Sequence, residues 1–209
     1  MKFTNKQIEE ILNQLEVMYP EAECALHFGT IFQLLVAVVL SAQTTDKSVN
    51  VVTAELFKKF PDAESLSRVP EEELAQMIKR IGMYKTKSKN VSALCKELVS
   101  QYGGNVPKDY EQLIKLPGVG RKTANVVLSV GFGEQRIAVD THVFRVSNRI
   151  GLVDEKDVLK TELSLMRVIP EHRWSKTHHS LIFHGRNCCI ARKPKCEQCG
   201  IEKWCLKKF

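Results

Sequence analysis

Apolar residues recur along this chain at the three-to-four-residue spacing of helices. Ile8, Ile11, Leu12, Leu15 and Met18 mark one face, behind a Thr4-x-x-Gln7 capping box and ahead of Pro20. Residues Phe28 to Ser41 are apolar all round, which predicts a helix buried on every side. The polar run Ser41 to Asp46 interrupts it, and a second helix carries Val49, Val52, Leu56, Phe57 and Phe60 up to Pro61. Pro70 followed by Glu71, Glu72 and Glu73 opens another, with proline and acids in its first turn, running through Leu74, Met77, Ile78 and Ile81 to Gly82. Thr86 to Tyr102 is closed by Gly103 and Gly104. Further helices are predicted over Asp109–Lys115, Arg121–Val130, Thr141–Ile150, Asp157–Ile169 and Trp174–Asn187. No segment alternates as a half-buried strand does, although Arg136–Val139 fits a brief extended stretch. The pattern predicts an all-α fold.

Composition adds limits. The 209 residues suffice for one substantial core or two small ones. An apolar fraction of 44% with 26% charged residues excludes wholesale disorder. The longest apolar stretch, Ile31 to Leu40, is about half the ~20 residues a membrane span needs. Met1-Lys2-Phe3-Thr4 lacks the apolar run of a secretory signal, which points to a reducing cytosol. In that compartment cysteines serve as metal ligands more often than as disulfides. A formal net charge of +7 weakly favours a polyanionic partner such as nucleic acid.

The seven cysteines include four, Cys189, Cys196, Cys199 and Cys205, spaced C-x6-C-x2-C-x5-C. Four thiolates in so short a loop suit tetrahedral zinc or an iron–sulfur cluster. The single close Cys-x-x-Cys pair leans away from zinc, and the spacing alone leaves the metal open. Cys188 is left over, while Cys24 and Cys95 sit in helical apolar contexts and read as small buried hydrophobes. Arg186, Arg192, Lys193 and Lys195 surround the first two ligands. A metal-stapled loop would hold these cations in fixed positions for phosphate contacts.

A second constellation is Leu116-Pro117-Gly118-Val119-Gly120-Arg121-Lys122-Thr123-Ala124-Asn125. A Pro-Gly-x-Gly turn between two helices, with the second starting at once, presents free backbone N–H groups to a phosphate. It reads as a helix-hairpin-helix, a module that grips DNA backbone without reading sequence. A cation at Lys122 faces the positive end of the helix dipole, which favours the neutral, nucleophilic amine. Asp140, in Val-Asp-Thr-His-Val-Phe-Arg, is an ordinary helix N-cap by position and a candidate carboxylate by chemistry. His142, two residues on, is a pocket candidate or a structural histidine.

The hairpin, the Val-Asp-Thr-His-Val-x-Arg segment and the cysteine loop, together with Leu40-Ser-Ala-Gln-Thr-Thr-Asp46, resemble the endonuclease III family of DNA glycosylase/lyases over nearly the whole chain. That resemblance implies two helical domains with a DNA groove between them: a six-helix domain at residues 21–133, and a discontinuous domain at 1–20 and 134–209 holding a [4Fe-4S] cluster on the four spaced cysteines. It implies Lys122 as nucleophile and Asp140 as essential carboxylate. Gln43 would fill the gap left by an extruded base. Met83 stands where relatives commonly place a leucine wedge, and a flexible apolar side chain also inserts between bases. DNA contacts are expected from Gly118, Val119, Gly120, Arg121, His142, Arg186, Arg192, Lys193 and Lys195. The implied partner is duplex DNA bearing an oxidised pyrimidine or an abasic site, met by a monomer in a bacterial cytoplasm at the nucleoid.

Two rivals carry distinguishable features. Monofunctional adenine glycosylases of the superfamily lack a lysine at the Lys122 position and carry an added C-terminal domain. A non-catalytic DNA-binding module with a zinc loop would keep its affinity when Lys122 is lost.

Overall fold

The structure is a computed structural model and describes residues 3–208; Met1 and Lys2, which entered the reading of the N-terminus, lie outside them, as does Phe209. The described residues contain helices and no strand, and Arg136–Val139 is irregular. The chain divides into two compact units, one formed by residues 25–133 and the other by residues 1–24 and 134–209.

The first unit is built around α2 (Ile31–Leu40), which buries Phe32 and every residue from Leu34 to Leu40, as its all-round apolar sequence requires. It starts where Thr30 Oγ1 accepts the Gln33 N–H at 3.2 Å, three residues later than Phe28. Helix α3 (Asp46–Lys59) is capped by Thr45 and ends at Phe60, before Pro61. A short helix α4 (Ala63–Ser67), which the apolar periodicity does not announce, is held by a capping box between Asp62 and Ser65. Pro70 is the N-cap of α5 (Glu71–Met77) and not a residue of its first turn. That helix stops at Met77, four residues short of Ile81, yet Ile78 and Ile81 remain buried in the turns that follow. Both α4 and α5 pack on α6 (Tyr84–Tyr102). Helix α7 (Tyr110–Leu113), capped by Asp109, leads through the hairpin to α8 (Arg121–Val126). The expected helix to Val130 instead widens into a π-helical stretch at Val127–Gly131, packed on α2.

The second unit packs α1 (Asn5–Met18), α9 (Thr141–Ile150), α10 (Val158–Val168) and α11 (Trp174–Asn187) around Ile11, Leu12, Leu15, Val143, Val146, Leu165 and Leu181. The Thr4–Gln7 capping box forms as the sequence predicts. Helix α11 packs tightly on α9 at Gly185, where a Cβ would stand 3.0 Å from the His142 Cβ. Among the described residues no helix is long and apolar enough to cross a membrane.

Candidate functional site

In the first unit, Gly118 adopts φ +76° in the hairpin, with Asn90 Cβ 3.0 Å and Val39 Cγ1 3.2 Å from where its own Cβ would be. The turn thus needs glycine for its backbone angle and for the close packing behind it. Val119 does not face solvent: its side chain is buried, and its N–H donates to the Leu116 carbonyl at 3.0 Å. It therefore offers a ligand neither side chain nor amide proton, and the outward face belongs to Gly118, Gly120, Arg121 and Lys122, all exposed. Arg121 is steadied by Tyr110: its Nη1 donates to the phenol oxygen at 3.0 Å and its guanidinium lies 5.5 Å from the ring centre. Lys122 projects from the first turn of α8 into solvent.

Gln43 and Met83 share an unusual property in this unit. Both are exposed and both hold left-handed backbone, φ 52° and φ 56°. Non-glycine residues in that region cost on the order of 1–3 kcal/mol each and persist only where surrounding structure imposes them. Met83 keeps 49% of its surface in solvent, although it is large and apolar. Beneath them lies Lys87, a lysine only 3% exposed, whose Nζ donates to Thr44 Oγ1 at 2.6 Å. Burial pulls its ammonium below the usual lysine range.

In the second unit, Asp140 is the N-cap of α9, accepting the His142 and Val143 N–H groups at 2.8 Å each. Both bonds fall on Oδ1, so the cap leaves Oδ2 without a partner among the described residues. His142 is half-buried, and burial first, then Arg145 and Arg186, lower its pKa against the raising influence of Asp140. Its Nδ1 lies 3.2 Å from Arg145 Nη2.

Cys189, Cys196, Cys199 and Cys205 line one cavity, as their spacing predicts. The donors around it suit negatively charged sulfur. Lys207 N–H points at Cys205 Sγ from 3.4 Å, and Arg149 Nη1 stands 3.8 Å from Cys189 Sγ. His184 Nε2 lies 3.7 Å from Cys199 Sγ, while its Nδ1 is 3.0 Å from the Tyr19 hydroxyl. Burial holds His184 at about 4, so it is neutral at pH 7 with one ring proton. With Cys199 bound to a metal as a thiolate, which can only accept, that proton would sit on Nε2 and Tyr19 would donate to Nδ1. Four thiols with such partners fit an iron–sulfur group. Cys188, left over by the spacing, lines the same cavity, and its sulfur lies within 4.8 Å of both the Cys199 sulfur and a His184 nitrogen. Cys95 is fully buried as expected, but Cys24 is half-exposed.

The loop that carries the first ligand is clamped from α9. Arg145 donates to the Gly185 carbonyl at 2.9 Å and to the Cys189 carbonyl at 3.2 Å. Arg149, one turn on, donates to the Ile190 and Ala191 carbonyls at 2.8 and 2.9 Å. Arg186, Arg192, Lys193 and Lys195 are exposed, Lys193 with a left-handed backbone. Periodicity could not single out Arg149, His184 or Lys87, because each acts on a residue far away in sequence.

Comparison with known proteins agrees with this geometry. A profile described as HhH-GPD superfamily base excision DNA repair protein matches residues 36–171, and one described as the iron-sulfur binding domain of endonuclease III matches residues 189–205. Endonuclease III of Bacillus subtilis (strain 168) is 53% identical over 201 residues, covering 96% of this chain and 92% of that protein. A solved structure described as a trapped endonuclease III–DNA covalent intermediate, in an estranged-adenine complex, superposes with a TM-score of 0.94 at 48% identity, covering 98% of this chain and 97% of its own. A non-covalent endonuclease III–DNA complex gives 0.93 at 48% identity, covering 98% of this chain and 96% of its own.

Proposed function

Because the chain belongs to the endonuclease III family, we propose that it is a bifunctional DNA glycosylase and abasic-site lyase of base excision repair, acting on oxidised pyrimidines in duplex DNA. The observation that carries this reading is the solvent-facing Lys122, one residue past the exposed Arg121 in the first turn behind the hairpin. A primary amine is needed for the lyase half-reaction, and a DNA-gripping turn is needed to bring a sugar to it.

A damaged base inside a duplex is out of reach, so the nucleotide is flipped out at a cost of a few kcal/mol, least for bases that stack and pair poorly. The neutral amine of Lys122 attacks the sugar C1′. The bond from C1′ to the base breaks, and the base leaves with the bonding pair and takes up a proton. The attached nitrogen, having lost a proton, then expels the ring oxygen: the C1′–O4′ bond breaks, O4′ takes up a proton, and a protonated imine joins Lys122 to C1′. That iminium acidifies the C2′ hydrogens, and loss of one expels the 3′ phosphate by β-elimination. Asp140 would stabilise positive charge on the sugar and take the amine's proton through the oxygen its capping role leaves over. Gln43 and Met83 would occupy the space the flipped nucleotide vacates and the stack of the opposite strand. Gly118, Gly120, Arg121, His142, Arg186, Arg192, Lys193 and Lys195 would contact the DNA; Val119 would support the turn from inside.

Cys189, Cys196, Cys199 and Cys205 would hold a [4Fe-4S] cluster, whose part here is to fix the basic loop in shape. Work on chromosomal DNA would place the enzyme in the cytoplasm, at the nucleoid. Borohydride trapping on duplex DNA containing thymine glycol or an abasic site tests the reading. A covalent protein–DNA adduct should form and vanish in Lys122→Gln; no adduct with the intact protein would overturn it.

A further inference from the structure

The two strained, exposed residues Gln43 and Met83 stand on separate segments, the turn after α2 and the turn before α6. Lys87 joins them. Its backbone N–H donates to the Met83 carbonyl at 3.0 Å, closing the first turn of α6. Helical side chains lean toward the N-terminus of their helix, so its stem runs back beneath Met83. Its Nζ ends on Thr44 Oγ1 at 2.6 Å, one residue after Gln43. Thr44 in turn donates its N–H to the Ser41 carbonyl at 3.0 Å and so carries the tie into the end of α2. A buried ammonium with a neutral hydroxyl for a partner is a poor choice for stability alone, since an apolar side chain would fill the space without desolvating a charge. Stability therefore does not account for lysine here.

We infer that Lys87 is a positioning residue: with Thr44 it braces the Gln43 and Met83 turns into one preformed wedge, so that both enter the DNA together. The inference rests on the assignment of Gln43 and Met83 as inserting residues. It assigns Lys87 no contact with the reacting sugar, which remains the business of Lys122.

The test uses the full-length protein and a duplex holding a non-cleavable tetrahydrofuran abasic analogue opposite 2-aminopurine, whose fluorescence rises when its stacking is broken. Lys87→Met and Thr44→Val should each slow that rise about tenfold or more, the usual size of a positioning loss. Lys87→Arg and Thr44→Ser should largely restore it. Strand cleavage of a single-stranded abasic oligonucleotide, which has no opposite strand to wedge, should be unchanged. In a Gln43→Ala/Met83→Ala background, Lys87→Met should add nothing. A normal rise in Thr44→Val, with Lys87→Met slowed, would mean that Lys87 acts by charge and would overturn the brace. So would a single-strand activity that falls in parallel, since that marks a general folding defect. If Gln43→Ala/Met83→Ala slows the rise while Lys87→Met does not, the brace alone fails. If Gln43→Ala/Met83→Ala leaves the rise untouched, the inserting assignment fails with it, whereas borohydride trapping at Lys122 would still succeed.

Discussion

At Asp140 one carboxylate has two duties that a single substitution confuses. It caps α9 through Oδ1, and the proposed chemistry needs the negative charge. Alanine removes both and should cost about 1 kcal/mol of stability in addition to activity. Asparagine keeps an oxygen that accepts the same two N–H groups and removes only the charge. Asp140→Asn should therefore unfold within a few tenths of a kcal/mol of the parent in urea, while single-turnover base excision falls roughly 10²–10⁴-fold, the range of a lost general base. An activity within tenfold of the parent would reduce Asp140 to a cap. The N-cap reading and the catalytic reading of this residue were both open in the sequence, and the structure shows that they are compatible: one oxygen serves the helix and the other is left over.

Elements whose ends are set by neighbouring residues were legible, and those set by distant packing were not. Thr4 and Asp140 cap the helices that the sequence places after them, and Asp109 and Asp157, expected as first helical residues, are the caps one position earlier, because a cap is satisfied within three residues. The early stop of α5 at Met77 and the π-helical stretch at Val127–Gly131 have no such local cause; the latter packs on α2, about ninety residues earlier. The site divides in the same way. Lys122 and the four cysteines lie in contiguous motifs, whereas the Lys87–Thr44, His184–Tyr19 and Arg149–Ile190 pairs span 43, 165 and 41 residues and leave no periodic trace. The hairpin offers a sharp test at this scale. Gly118 has φ +76° and meets Asn90 and Val39, so Gly118→Ala should cost about 1–3 kcal/mol in thermal or urea unfolding. Gly120 has φ −95° and nothing within 4 Å of an added Cβ. Gly120→Ala should be near neutral in the same measurement, and any loss of DNA affinity it shows then reports the DNA-facing backbone directly.

For the molecule as a whole, a net charge of +7 draws a polyanion without locating it, so the placement of the cations has to matter. Three of them, Arg192, Lys193 and Lys195, ride on the loop between the first two cysteines. That loop is held at its start by Arg145 and Arg149 from α9 and at its end by the Lys195 N–H, which donates to the Cys188 carbonyl at 3.0 Å, while the four spaced cysteines line the cavity beside it. The helices of the same unit share an extensive apolar core, built from Ile11, Leu12, Val146 and Leu181 among others, most of which lies outside the cysteine cavity. Removing the iron–sulfur group with an oxidant and chelator should therefore leave the far-UV helical signal largely intact while loosening the cations. Each phosphate contact contributes about 0.9 to the slope of log affinity against log salt. Replacing all three cations by alanine in the holoprotein should flatten that slope by up to about 3, and the chelated parent should flatten toward the same value. If chelation leaves the slope unchanged while the triple variant loses it, the arginine clamps from α9 order the loop by themselves, and the four cysteines are not what fixes its shape.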